Sequence, residues 1–325
     1  MTASANARKR AARNDKFKFP FELDEYQIGM KLEHCFGLLE AGLGMNFELE
    51  SSVEGKTGAD YEYQGIQARY YLQAKAPIAL KSTAVVPISA GKENEGLNAV
   101  RAFRRDNGLS EDPYSFCFGL RKPAKHANVP EELQHNLLYA MNDPSKGSHA
   151  MYVAPTTHSK EEYLRLLRDR WHLEILRETR YWGYAHPRDR FAIHPRFAAE
   201  ILMNSPFLQA HICITPHAKV TTHEHHYSYS VHANDVAFHS PTVLERGSQN
   251  LSDFLASQVR QIGRVETQTP EVVVDSLKRA LPESVARTLG TAPQEGPLGT
   301  IRQIGRLLWE QYGITQYLVM KRKEG

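Results

Sequence analysis

The chain is poor in cysteine. Its three cysteines, Cys35, Cys117 and Cys213, are spread over 325 residues, each among apolar neighbours. That spacing excludes a disulfide framework and a zinc ribbon, and it predicts buried thiols in a reducing cytoplasm rather than a thiolate nucleophile. No apolar run is long enough to cross a bilayer. The first 13 residues carry Arg8, Lys9, Arg10 and Arg13 but lack the apolar stretch of a signal peptide. A solvated, disordered basic tail over 1–20 is expected there, with a phosphate-binding arm as the alternative. The excess of positive charge is small, +3 at pH 7. It neither requires nor excludes a polyanionic partner, because a local basic groove is enough to hold one. There is no Gly-x-Ser-x-Gly elbow, no phosphate-binding P-loop and no dinucleotide fingerprint, which removes the chemistries those turns support. Internal repeats and low-complexity tracts are missing as well.

What is present is an ordinary globular composition, 41% hydrophobic and 24% charged, in a chain long enough for one large core or two smaller ones. After the aromatic entry Phe17, Phe19 and Phe21, a helix is expected from near Leu23. Ile28, Leu32, Cys35, Phe36 and Leu39 recur at helical spacing, and Gly42 and Gly44 stop it. Strands follow over 45–53 and 114–120, with a helix at 97–103 between them. A Pro-started helix at 130–141 and a short strand at 150–154 come next. These elements predict an α/β core over 21–158 and an accessory α+β region over 159–325, mostly helical after 250. In the second region Ser159 and Glu162 form a capping box, and strands are expected at 208–215, 227–231, 235–239 and 315–320.

The most suggestive stretch is Thr57–Pro77. Tyr61, Tyr63, Tyr70, Tyr71 and Leu72 flank a polar tip, Gln64-Gly65-Ile66-Gln67, and the pattern reads as a hairpin turning at 64–67. In its second arm Tyr70, Leu72, Ala74 and Ala76 share one face, and Tyr71, Gln73 and Lys75 share the other. Such a hairpin sets Asp60 beside Gln73 and Lys75. A carboxylate and an amide oxygen suit Mg²⁺, and a nearby ammonium suits a developing phosphate charge. Glu33, reaching from the first helix, would add a second acid. The alternative is a turn Asp followed by the wet face of an antiparallel strand, since an Asp and a later Gln-x-Lys recur by chance.

Glu33 in L-E-H-C-F-G-L-L-E-A-G, Asp60 in T-G-A-D and the half-motif Gln73-Ala74-Lys75 together resemble the PD-(D/E)xK nuclease superfamily. The likeness is to its Mrr-like branch, where Gln-x-Lys replaces Glu-x-Lys. The resemblance implies a restriction-endonuclease-like core, a mixed sheet in α-β-β-β-α-β order, and metal-dependent hydrolysis of phosphodiester bonds, usually in DNA. It implies Mg²⁺ or Mn²⁺ held by Glu33, Asp60 and Gln73, catalysis aided by Lys75, and a supporting role for Gln134. It also implies a nucleic-acid partner, a setting in defence against foreign nucleic acid, and a homodimer or a larger system. Gly58-Ala59 stand where the pattern has proline, and glutamine at 73 removes one ligand charge. A catalytically silent nucleic-acid-binding or assembly subunit with the same fold is the second reading.

Two further stretches carry polar chemistry. Arg177, Arg180, Trp182 and Arg188, with Tyr181, Tyr184 and Arg190 among them, interleave aromatics with cations, as a nucleic-acid contact surface does and as aromatics packed under a loop also do. From His211 to His239 seven histidines cluster. His223 and His225, if on a strand, point to one face as zinc-binding pairs do, yet no Cys or acid completes a compact ligand set.

Overall fold

The computed structural model describes residues 18–43, 46–51, 63–80, 92–109, 114–121, 129–168, 206–231, 235–239, 242–244, 248–290 and 296–323. In chain order the strands are β1 (Lys18–Pro20), β2 (Phe47–Ser51), β3 (Tyr63–Ala74), β4 (Ile78–Leu80), β5 (Ser115–Gly119), β6 (Ser148–Pro155), β7 (His211–Ile214), β8 (His226–Ser230), β9 (Val236–His239), β10 (Thr242–Leu244), β11 (Ser248–Asn250) and β12 (Thr315–Arg322). The helices are α1 (Glu25–Leu43), α2 (Lys92–Asp106), α3 (Gln134–Met141), α4 (Lys160–Arg168), α5 (Pro206–Gln209), α6 (Leu251–Gln261), α7 (Pro270–Ala280), α8 (Glu283–Gly290) and α9 (Gly296–Tyr312).

The chain is a mixed α/β fold built on two sheets. One runs β1-β4-β5-β8-β9-β10 and the other β11-β7-β6-β3-β12-β2. The inner faces pack together. Phe116, Phe118, Tyr227, Tyr229 and Phe238 of the first sheet share a core with Tyr71, Tyr152, Ile212 and Ile214 of the second, closed by apolar residues of α3, α7 and α9. On its other face the second sheet carries α1 and α6, through Ile28, Leu32, Phe36, Phe254 and Leu255 against Tyr70, Leu72 and Val319. Leu97 and Val100 of α2 cover the first sheet's outer face at Leu80 and Cys117. The second sheet is therefore buried on both sides, which is why β6 and β7 read as unbroken apolar runs.

Three expectations are corrected. The hairpin at 64–67 does not form: β3 is one strand of 12 residues, and Tyr63 and Gln73 stand on the order of 30 Å apart along it. The polar residues read as a turn are instead paired by a distant segment. Ile66 exchanges both backbone hydrogen bonds with Gln268, at 2.8 and 2.9 Å, and Gln67 bonds to Val265 and Thr267 through its amide. Second, the neighbour parallel to β3 is β6, with Gln73 opposite Tyr152, while β5, expected in the same mixed sheet, lies in the other one. Third, both sheets draw strands from both sides of residue 158. The C-terminal β12 lies antiparallel between β2 and β3, so residues 21–158 do not close a core by themselves. Within the helical stretch after 250, Leu281-Pro282 separates α7 from α8.

Candidate active site

The start of α1 is set by a reciprocal cap. Asp24 Oδ1 accepts from the Gln27 N–H at 2.7 Å, and Gln27 Oε1 accepts from the Asp24 N–H at 3.2 Å. Glu25 thus becomes the first helical residue, where the positive end of the helix dipole favours a carboxylate. From there it reaches over the carboxyl end of β3. Lys75 Nζ donates to Glu25 Oε1 at 3.2 Å, and Gln73 Nε2 lies 3.4 Å from Glu25 Oε2 while donating to the Ala74 carbonyl at 2.9 Å.

Gln73 and Lys75 share a strand face, as the alternation of residues predicts, but that face is not wet. Gln73 is 3% exposed and Lys75 2%. Past the strand end, Lys75 N–H still donates to the Val153 carbonyl of β6 at 2.8 Å, and its ammonium lies 5.7 Å from the centre of the Tyr152 ring. Burial pushes the Lys75 proton affinity down. The Glu25 charge and hydrogen bond oppose that shift, and Arg121 adds to it.

Gln134, the first residue of α3, donates through Nε2 to both Gln73 Oε1 and the Tyr312 carbonyl. Tyr312 is itself held: its hydroxyl donates to Glu132 Oε2 at 2.6 Å, and Ser284 donates to the same oxygen at 2.6 Å. Gln134 Oε1 is buried with no hydrogen-bond partner among the described residues. Gly313 completes the wall. Its φ of 64° lies in the left-handed region, and a Cβ there would collide with Arg121 Nη1 and come within 3.6 Å of Gln73 Oε1. Gly313→Ala should therefore displace Arg121 and lower stability by about 1 kcal/mol or more, readable as a drop in the urea midpoint.

The helix acid at the half-motif is thus Glu25, not Glu33. Glu33 lies eight residues further along α1, about 12 Å down its axis. The signal that finds Glu25 is the capping box Asp24-Glu25-Tyr26-Gln27 ahead of the apolar stripe. Asp60, Arg177, Arg180, Trp182 and Arg188 lie outside the described residues. No group of three or more His, Cys, Asp or Glu side chains is poised to hold a metal among the described residues.

That holds for the histidine stretch too. His223 and His225 precede β8 in irregular backbone, so they are not a strand pair. His211 is buried, bonded to the Phe207 carbonyl at 2.7 Å and the Tyr163 hydroxyl at 3.1 Å, and His217 lies 3.4 Å from the Tyr227 hydroxyl. His232 and the side chain of His239 are outside the described residues. Burial also raises the Cys117 thiol to about 12 and Cys213 further, so neither is a nucleophile at neutral pH.

No protein-family model, no curated protein and no solved structure matches the chain. The superfamily resemblance therefore rests on the residues alone.

Proposed function

We propose that the protein is a metal-dependent phosphodiester hydrolase acting on nucleic acid, DNA in the first instance. The observation that carries this is the convergence of an acid, an amide and an ammonium at one point. Glu25, Gln73 and Lys75 meet within hydrogen-bonding reach at the carboxyl ends of the parallel pair β3 and β6, the edge at which α/β sheets place ligands.

The donors fit a hard divalent cation. The Glu25 carboxylate, half exposed, the Gln73 Oε1 and the Ala74 carbonyl are all oxygens, and the buried Gln134 Oε1 beside them is an acceptor with nothing to accept from among the described residues. One carboxylate is few, but Mg²⁺ is commonly held by one or two together with substrate phosphate oxygens. A bound cation of this kind supplies an acidified water and neutralises charge on the phosphoryl oxygens. The protein's own residues do the rest. Lys75 Nζ orients the attacking water or donates to a phosphoryl oxygen as charge builds there. Gln134 and the Glu132–Tyr312 pair hold the Gln73 amide in place. Tyr152 and the β6 backbone keep water from the stem of Lys75.

The direct test is incubation of the purified protein with plasmid, single-stranded DNA and RNA, with EDTA, Mg²⁺ or Mn²⁺. Metal-dependent cleavage is expected, and Glu25→Gln should reduce it by a factor on the order of 100 or more. Cleavage indifferent to metal or to Glu25→Gln would sink the assignment.

One observation favours the catalytically silent reading. Both ends of the Gln73 amide are already hydrogen-bonded, and the acid at the cluster is paired with Lys75. Calorimetric titration with Mn²⁺ separates the two: a working site binds the ion and loses it in Glu25→Gln, whereas a silent one shows no Glu25-dependent heat.

A further inference from the structure

Large apolar side chains that lie exposed next to one another mark a contact surface in a way that singly scattered ones do not. Tyr26 follows Glu25 directly on the first turn of α1 and is 58% exposed. Met30, one turn on and on the same side, is 54% exposed. Across from Tyr26 stands Trp309 of α9, half-buried, with ring centroids 6.2 Å apart and planes inclined at 46°. The rings are angled rather than stacked, so Tyr26 keeps a face open. Trp309 is tied to the site wall as well, because its carbonyl accepts from the Gly313 N–H at 2.8 Å. Gly313 in turn abuts Arg121 and Gln73. Arg121 is exposed, has no carboxylate partner among the described residues, and is close enough for its charge to be felt at Lys75.

The mouth of the Glu25–Lys75 site is therefore bordered by an exposed aromatic face, a tryptophan and a guanidinium. We propose that Tyr26, Trp309 and Arg121 form a subsite for an unpaired nucleotide, its base stacked on Tyr26 and its phosphate on Arg121. The chemistry is specific to a base out of its duplex. A π-face can be offered to Tyr26 only by a nucleotide that is not stacked between neighbours, whereas Arg121 takes any phosphate. Met30 extends the apolar floor on which the ring edge rests. This inference rests on the phosphodiester reading for its polyanion, and it adds a substrate class: single strands, or ends and loops with an unpaired nucleotide beside the scissile phosphate.

The test is a binding measurement in EDTA, where no metal-dependent cleavage occurs. Fluorescence anisotropy is recorded with a labelled 12-nucleotide oligothymidylate, its oligouridylate counterpart and a 12-base-pair duplex, on the full chain. Wild type should bind either single strand more tightly than the duplex. Tyr26→Ala should weaken single-strand binding roughly 5- to 100-fold, with Tyr26→Phe within about twofold of wild type. Arg121→Ala should reduce the salt slope by about one. Preference between the two single strands reports contact with the sugar 2′-hydroxyl or with the thymine methyl, and either preference supports the subsite. Trp309 is partly structural, so the exposed Tyr26 is the deciding position, with circular-dichroism melts confirming that the variant is folded. Single-strand binding that is unchanged in Tyr26→Ala, or duplex preferred by wild type, overturns the inference. The two proposals fail separately. Cleavage that needs Glu25 but ignores Tyr26 removes the subsite alone, and Tyr26-dependent binding without any cleavage removes the hydrolase alone.

Discussion

Replacing Lys75 with methionine should abolish metal-dependent cleavage while leaving the protein at least as stable as before. The two halves of this outcome have different origins. For stability, the ammonium of Lys75 is desolvated, and its partner Glu25 is 42% exposed at the level of the side chain. Their attraction is thus partly screened by water on the glutamate side, while the cost of burying the lysine charge is met almost in full. Methionine fills much of the same volume without a charge, and Glu25, freed of its partner, remains solvated at a helix N-terminus. A change in unfolding free energy between zero and a modest gain is expected by urea titration. Function should move the other way, by a factor on the order of 100 to 1,000, as when one preorganised donor is removed from a developing charge.

Glu25→Ala should do the reverse to stability, because it leaves a buried ammonium with no carboxylate beside it. Lys75→Arg divides the possible roles. It keeps the charge but gives up a group whose proton affinity burial has lowered, so a rate limb rising with pH in wild type should flatten if Lys75 acts as a neutral amine. A Lys75→Met variant that cleaves normally ends the assignment, and one that unfolds makes Lys75 a structural strut.

Much of this fold was legible where both faces of a strand are buried. The runs at 114–120, 150–154 and 208–215 are continuous in apolar residues because the opposite sheet covers one face of each and helices, α2 on the first sheet and α1 and α6 on the second, cover the other. The facing of Tyr71, Gln73 and Lys75 away from Tyr70 and Leu72 was equally readable, since alternation is local. The false hairpin arose because Gln64-Gly65-Ile66-Gln67 has turn composition, and the residues that overrule it, Val265, Thr267 and Gln268, lie some 200 positions later. The same distance hides β12, which takes the place beside β3 that a hairpin arm would have filled. At the site, Gln73 and Lys75 share a face as their spacing suggested, and Gln134, which only the family resemblance had singled out, donates to Gln73. The helix acid stands two turns before the expected one, because the apolar stripe around Glu33 is a louder signal than the capping box that places Glu25. Nothing local announced Arg121 or Trp309, which reach the site through Gly313 and a helix end.

Lowering the pH from 7 to 4.5 should cost the protein most of its stability, through histidines that stay neutral when folded. His135, His149 and His211 are each pushed down to about 4, in every case chiefly by burial. His135 sits between the Tyr152 hydroxyl at 3.0 Å and the Ala218 carbonyl at 2.8 Å, stacked on Phe238. One tautomer serves both partners, with Nε2–H donating to the carbonyl and Nδ1 accepting from the phenol, and a second ring proton would force that hydroxyl to turn its own hydrogen away and accept instead. His211 is fixed the opposite way, Nδ1 to the Phe207 carbonyl and Nε2 to the Tyr163 hydroxyl. His149 lies stacked against Tyr70, near the Arg69 charge, which lowers it further. Each group has a folded value below its unfolded one near 6.5. Between 6.5 and 4 the unfolded chain therefore binds more protons than the folded one, and stability falls as pH falls through that window. The full shift is worth about 3 kcal/mol per histidine, so three together approach the whole stability of a typical domain. Urea midpoints at pH 7 and 4.5 with an unchanged slope are the measurement, and equal midpoints would refute it. Replacing His135 and His211 with glutamine should flatten the dependence even at the expense of some stability at neutral pH. These histidines brace the inter-sheet core and the α4–α5 contact from opposite sides of β6. Acid should accordingly loosen the strand against which Lys75 is held.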